Sequence, residues 1–241
     1  MRRLLVVQND PRVPLGRLRF PGLAVDVVRP YRGDSPPDRI PDHAGLIVLG
    51  GTMAAWEDDI APWLPATRDL LARCVDDGTP VLGVCLGAQL LALATGGRVE
   101  RGPAGPELGV VNVERTAASD GDALLGGLPA VFAAASGHHD AVTELADDAV
   151  ELARTQMYPH QAFRLGTRAW GVQYHPEATA PVLADWLESD RAVLAARGTT
   201  PERLVAEFGR RDAELAGVCR AHAEAFTAVV ASRFDWTAHV G

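Results

Sequence analysis

Only three cysteines, Cys74, Cys85 and Cys219, occur in 241 residues. They are too few and too scattered for a disulfide framework or a structural zinc site, so a reducing, cytoplasmic setting is expected. Long apolar runs are missing too. No stretch is long enough to span a bilayer, and the apolar part of Met1-Arg-Arg-Leu-Leu-Val-Val7 is too short for a secretion signal. Positive charge is in deficit, with 23 Lys and Arg against 31 Asp and Glu and a formal charge of −8. That balance argues against nucleic acid or an anionic membrane as the main partner, while leaving room for a locally basic pocket. The sequence has no internal repeat, no low-complexity linker and no Gly-x-x-x-x-Gly-Lys-Ser/Thr loop, and neither a cofactor nor a metal is expected. What remains is a chain of ordinary globular composition, long enough for one substantial core with or without an appendage.

The most informative stretch present runs from Pro80 to Ala94. Pro80-Val-Leu-Gly-Val84 has the length and character of a buried strand, and Gln89-Leu-Leu-Ala-Leu-Ala94 reads as the first turns of a helix. Between them, Gly83-Val-Cys-Leu-Gly87 is the thiol counterpart of a nucleophile elbow. Glycines on either side allow a tight turn, and the helix N-terminus favours the thiolate of Cys85. Taken alone, Cys85 could equally be a small buried hydrophobe.

Ninety residues further on, Trp170-Gly-Val-Gln-Tyr-His-Pro-Glu177 alternates like a strand and is stopped by Pro176. His175 and Glu177 are two apart, so on an extended chain they face the same way. Glu177 can then hold one ring nitrogen of His175 while the other faces a nucleophile, the arrangement that covalent catalysis needs. A strand-end histidine beside a solvated glutamate is the plain alternative. The cysteine elbow weighs against it.

With these two segments, and with Leu49-Gly-Gly-Thr-Met-Ala-Ala-Trp-Glu-Asp58, the sequence resembles the class I (triad-type) glutamine amidotransferases over about residues 1–180. The order of elements is most similar to free-standing, GMP-synthase-like members without a fused synthetase. The resemblance implies a flavodoxin-like three-layer α/β/α sandwich: an amidotransferase domain at 1–180, and a C-terminal helical extension at 181–241 packed on it. It implies Cys85 as nucleophile, His175 as acid and base, and Glu177 as its orienter. The Leu86 amide at the elbow and the Gly51 amide are the candidate oxyanion donors. Gly50, which lets backbone approach a substrate, and Gln89 are candidate substrate contacts; a polar residue on a helix surface is the other possibility for Gln89. Ser136-Gly-His-His-Asp140 takes the place of a Ser-His-Gly-Asp-like loop that binds the α-amino and α-carboxylate groups of the substrate. His138, His139 and Asp140 are therefore candidate contacts, with His139 replacing the usual small residue. Two histidines and an aspartate could suggest a metal site, but neighbours on an extended chain point opposite ways. Trp56, Glu57 and Asp58 either close over the site or are exposed loop residues.

Along the chain, buried strands are expected at Leu4–Gln8, Ala24–Val28 and Leu46–Leu49. Asn9–Phe20 reads as a surface turn, with or without a short helix after it. A helix is predicted over Ile60–Asp77. The middle is strand-rich, at Val99, Leu108–Val113, Val131–Ala134, Val150–Ala153 and Ala162–Leu165, as mixed or antiparallel additions to a parallel sheet. From Ala180 the chain is mostly helical, with Thr200 capping one long last helix that opens on Pro201. Its apolar stripe, including Phe208, Val218, Phe226 and Val230, either packs on its own domain or meets a partner.

Three functions compete. The first is a glutaminase that hydrolyses L-glutamine and passes ammonia to a separate synthetase. The second is a free-standing hydrolase or transferase of γ-glutamyl peptides or amides. The third is a non-catalytic, partner-binding scaffold.

Overall fold

The computed structural model describes residues 2–235. Its centre is a run of five short parallel strands in the order β2 (Ala24–Val28), β1 (Arg3–Val7), β3 (Gly45–Val48), β4 (Val81–Val84) and β11 (Ala169–Val172). Four antiparallel strands extend the sheet beyond β11: β10 (Ala162–Leu165), β9 (Val150–Arg154), β6 (Glu107–Arg115) and β7 (Val131–His138). The parallel order is the 2-1-3-4-5 arrangement of doubly wound sheets of the flavodoxin type, with β11 as its fifth member. A separate ribbon pairs β5 (Arg98–Arg101) with β8 (Asp140–Glu144).

Side-chain alternation divides the sheet cleanly between two cores. Leu5, Val7, Leu46, Val48 and Val81 face α1 (Leu64–Asp76) and α2 (Leu86–Ala94). Leu4, Val6, Ile47, Leu49, Leu82 and Val84 face the opposite way, onto Val218, Cys219, Phe226 and Val230 of α6 (Asp212–Asp235). Strands apolar on both faces therefore lie between two helical layers, and the apolar stripe near the C-terminus is spent on the sheet itself. The fold is the flavodoxin-like α/β/α sandwich. A third cluster packs α3 (Ala180–Ser189), α4 (Arg191–Ala196) and α5 (Pro201–Arg210) around Phe208, Leu187 and Ala133. Among the described residues, no helix is long and apolar enough to cross a membrane.

Four sequence expectations need correction. The helix predicted from Ile60 begins at Leu64, because Pro62 and Pro65 keep the preceding residues in turns; Ile60 is left 67% exposed. The single last helix is two, α5 and α6, broken at Arg211, whose amide bonds back to Glu207 and Phe208. Thr200 does cap α5, its hydroxyl accepting from the Arg203 amide. Asn9–Phe20 turns as expected but contains no helix, and much of it is not at the surface: Asn9, Asp10, Val13, Leu18 and Phe20 are buried. Finally, Asp140 is not in a loop but opens β8, so the Ser136–Asp140 segment is the end of one strand, a single turn residue and the start of the next.

Candidate active site

The C-terminal ends of β3, β4 and β11 converge on one cavity of about 320 Å³. Cys85 sits where β4 turns into α2, with φ 51° and ψ −108°; among the described residues it is the only non-glycine residue at positive φ. Its amide bonds across to the Val172 carbonyl at 2.8 Å, and its carbonyl accepts from the Gln89 amide at 3.0 Å. The elbow is held on both sides, so the strained conformation is imposed by strand and helix together. Gly87 allows this turn: a Cβ there would overlap the Val48 carbonyl of the neighbouring strand.

His175 lies three residues past the end of β11, fixed by a bond from its amide to the Ala135 carbonyl at 2.8 Å. Its Nδ1–H donates to Glu177 Oε1 at 2.7 Å, and both side chains are buried. The ring and the Cys85 side chain line the same cavity. Gly50 marks how tightly the three segments meet, since a Cβ there would stand 3.1 Å from His175 Cε1 and 3.4 Å from Cys85 Cβ. Burial alone would push the proton affinity of His175 down. The negative charges of Glu177 and Cys85, with hydrogen bonds to both, outweigh burial and lift its pKa to about 10. A protonated ring beside a sulfur is the arrangement that favours a nucleophilic thiolate.

Gly51 lines the cavity opposite Leu86, close enough that a Cβ on it would come within 2.8 Å of the Leu86 side chain. The Leu86 amide is the first of α2, and the leading amides of a helix have no intrahelical acceptor. Gln89 is buried rather than on a helix surface. Its Nε2 donates to the Asp140 carbonyl at 3.0 Å and to Gln173 Oε1 at 3.1 Å. His138, His139 and Asp140 all line the cavity, but their groups diverge. His138 turns inward to Glu107, and His139 pairs with Asp190 at 2.8 Å. Asp140 faces Arg101 at 3.4 Å, and its carboxyl is raised from the usual range mainly by burial. The two adjacent rings go to different partners, as their alternation requires. Trp56, Glu57 and Asp58 stand apart from the cavity lining: Trp56 is 48% exposed, Glu57 accepts from the Ala54 amide, and Asp58 is clamped by Arg68.

Several supporting residues escaped sequence reasoning. Asn9 donates to the Leu49 carbonyl at 2.8 Å, and Asp10 accepts from both the amide and the hydroxyl of Thr52, so together they pin the Gly50-Gly51 loop. A polar Gln8-Asn9-Asp10 directly after an apolar strand was the available signal, because strand ends of this kind carry sites. Trp186 of α3 packs its ring 4.3 Å from that of His175 and donates to the Arg12 carbonyl. Nothing in the local pattern of α3 marks it, since the contact is made only in three dimensions.

Comparison with known proteins identifies the family. The family model for class I glutamine amidotransferases matches residues 17–187. A glutamine-hydrolysing GMP synthase from Aeropyrum pernix is 36% identical over 200 residues, which are 80% of this chain and 36% of that protein. Gamma-glutamyl peptidase 4 of Arabidopsis thaliana is 29% identical over 166 residues, 68% of this chain and 65% of the peptidase. Among solved structures, a glutamine amidotransferase from Thermotoga maritima aligns with a TM-score of 0.81 at 26% identity, over 94% of this chain and 98% of that one. The fold and the elbow place the chain among doubly wound α/β proteins that carry a cysteine at a strand-to-helix turn. Within that class, the chain belongs to the class I glutamine amidotransferase family. It spans about a third of the length of the archaeal GMP synthase and just under two thirds of the plant peptidase.

Proposed function

We propose that the chain hydrolyses the side-chain amide of L-glutamine through Cys85, His175 and Glu177, and that the ammonia released supplies a separate synthetase. The Cys85 thiolate attacks the amide carbon to form a tetrahedral oxyanion, which the Leu86 and Gly51 amides stabilise. Protonated His175 delivers its proton to the leaving nitrogen. The C–N bond breaks, ammonia departs and a thioester remains. Water then attacks the thioester as His175 takes up its proton, a second oxyanion collapses, and glutamate leaves as the thiolate is restored. Glu177 keeps the ring oriented and stabilises its cationic form throughout. Gly50, Gln89 and the 138–140 turn surround the glutamyl group. Residues 1–180 carry this chemistry and a C-terminal helical extension packs on them, in a reducing, cytoplasmic setting; the last six residues of the expected extension, 236–241, lie outside the described residues.

The observation that carries this assignment is that Cys85 and His175 line one cavity, with Glu177 hydrogen-bonded behind the ring. A partner-binding scaffold would have no use for it. A second assignment, hydrolysis of γ-glutamyl peptides without any partner, is supported by the Arabidopsis relative. It would use the same thiol on a different leaving group.

Purified protein, alone or with a synthetase, is expected to release ammonia and glutamate from L-glutamine. Cys85→Ala should lower kcat by more than about 10³-fold, as removal of a catalytic nucleophile does. Wild-type turnover by that variant would sink the assignment. Robust cleavage of γ-glutamyl dipeptides by the chain alone would favour the second function over the first.

A further inference from the structure

Behind the cavity wall lies a polar cluster that the proposed chemistry does not use. Glu107, at the start of β6, is a buried carboxylate. Its oxygens accept from Thr155 Oγ1 at 2.6 Å and Gln161 Nε2 at 2.7 Å, and lie 3.2 Å from His138 Nε2. The side chains of His138 and Glu107 are 1% and 3% exposed. On its other side, His138 Nδ1 stands 2.9 Å from the Asp140 carbonyl.

An accounting of protons follows from these partners. A carbonyl oxygen only accepts, so Nδ1 carries hydrogen. Glu107 is surrounded by donors, and their hydrogen bonds, with the charge of His138, outweigh burial and hold the carboxyl below its usual range. Its Nε2 faces Glu107, so both ring nitrogens of His138 are committed to protein groups, and neither is free to meet a substrate in the cavity. A buried ion pair contributes little net stability compared with apolar residues of the same size. Its value here is geometric, because the Asp140 carbonyl that His138 holds also receives the Gln89 side chain. Gln89 in turn reaches Gln173, two residues before His175.

We propose that His138 is a positioning residue rather than a substrate contact. Held from behind by the buried Glu107 side chain, it clamps the Asp140 carbonyl and so sets the Gly137–Asp140 turn and Gln89 for the glutamyl group. The proposal rests on the glutamine-site assignment above.

The test measures binding without turnover, by following alkylation of Cys85 with iodoacetamide by peptide mass spectrometry while L-glutamine or a γ-glutamyl dipeptide protects it. Glu107→Gln puts an amide donor where donors already point and removes the counter-charge. The half-protecting concentration should rise tenfold or more, with the unprotected alkylation rate within twofold of wild type. In steady state the same variant should raise KM by a similar factor and leave kcat nearly unchanged. A cluster that only holds the fold together would instead lower kcat and the reactive fraction together at unchanged KM, which would overturn the proposal. Should Glu107→Gln fail to fold, His138→Gln decides. Its amide can still reach Glu107 but loses the donor to Asp140, so the same weakened protection is expected, and wild-type protection would overturn the proposal. Wild-type protein that neither probe protects would instead overturn the glutamine-site assignment, and the proposal with it.

Discussion

Two histidines, 47 positions apart in sequence and both fully enclosed, are driven in opposite directions. His175 is lifted to about 10, and His222 on α6 is pushed down to about 4. Burial acts on both in the same sense, so the neighbours decide the outcome. His175 is bonded to the Glu177 carboxylate and has Cys85 as a second electrostatic neighbour. His222 touches only neutral groups: its Nδ1–H donates to the Val218 carbonyl, and its Nε2 accepts from the Tyr174 hydroxyl, both at 2.9 Å, against the edges of the Tyr174 and Phe132 rings. Glu177 raises the proton affinity of both rings, but it bonds only His175. A charge in contact overcomes enclosure, and the same charge further off does not.

The most severe way to break this contrast is Glu177→Gln, which leaves His175 buried without its anion. Its pKa should fall toward that of His222, and kcat for glutamine should drop by about 10²–10⁴-fold, the range for losing the orienter of a catalytic base. A pH–rate profile of the variant should show the imidazolium lost at much lower pH than in wild type.

Stability should show the two histidines at opposite ends of the pH scale. His175, raised in the native state, contributes stability that is complete below its unfolded value near 6.5 and lost as pH climbs through about 10. For His222 the sign is reversed. The unfolded chain binds its proton first, so native stability falls as pH drops from 6.5 through about 4, by roughly 3 kcal/mol in full. Urea denaturation at pH 7.5 and pH 4.5 should therefore show a smaller acid loss for His222→Gln than for wild type. An unchanged acid loss would mean that other groups carry it.

The smallest effect is expected from Tyr174→Phe, which removes the hydroxyl that links the catalytic strand to α6. The bare Nε2 of His222 should cost about 1–2 kcal/mol in urea unfolding. Turnover of glutamine should stay within threefold, because His175 keeps both of its charged neighbours.

Much of this contrast was only half legible in the sequence. Cys85, His175 and Glu177 announce themselves because an apolar strand ending in a reactive residue is a local pattern. The parallel half of the sheet is readable for the same reason, as short β-branched runs closed by glycine or by the site itself. His222 carries no such mark. It stands in a helical stripe among alanines, and its role depends on Tyr174, just past the end of β11 and 48 positions away, coming to it. Trp186 and Asn9 are silent for the same reason, since their contacts are set by how layers stack. The break at Arg211 was missed because the sequence there continues to favour helix. It ends because α5 must lie over β6, where Leu204 rests on Gly109, while α6 must lie under β1 and β3.

The dihedral angles of Cys85 have a consequence for how the molecule balances its own interests. A side-chain-bearing residue held left-handed costs on the order of 1–3 kcal/mol, so a glycine at position 85 would suit the backbone better than the residue that is there. The sheet, the opening of α2 and the carbonyl of Val172 all conspire to keep sulfur where the chain alone would not leave it. Reactivity here is a debt that the rest of the architecture carries, and loosening any of those three supports should be felt at the sulfur before it is felt in the core.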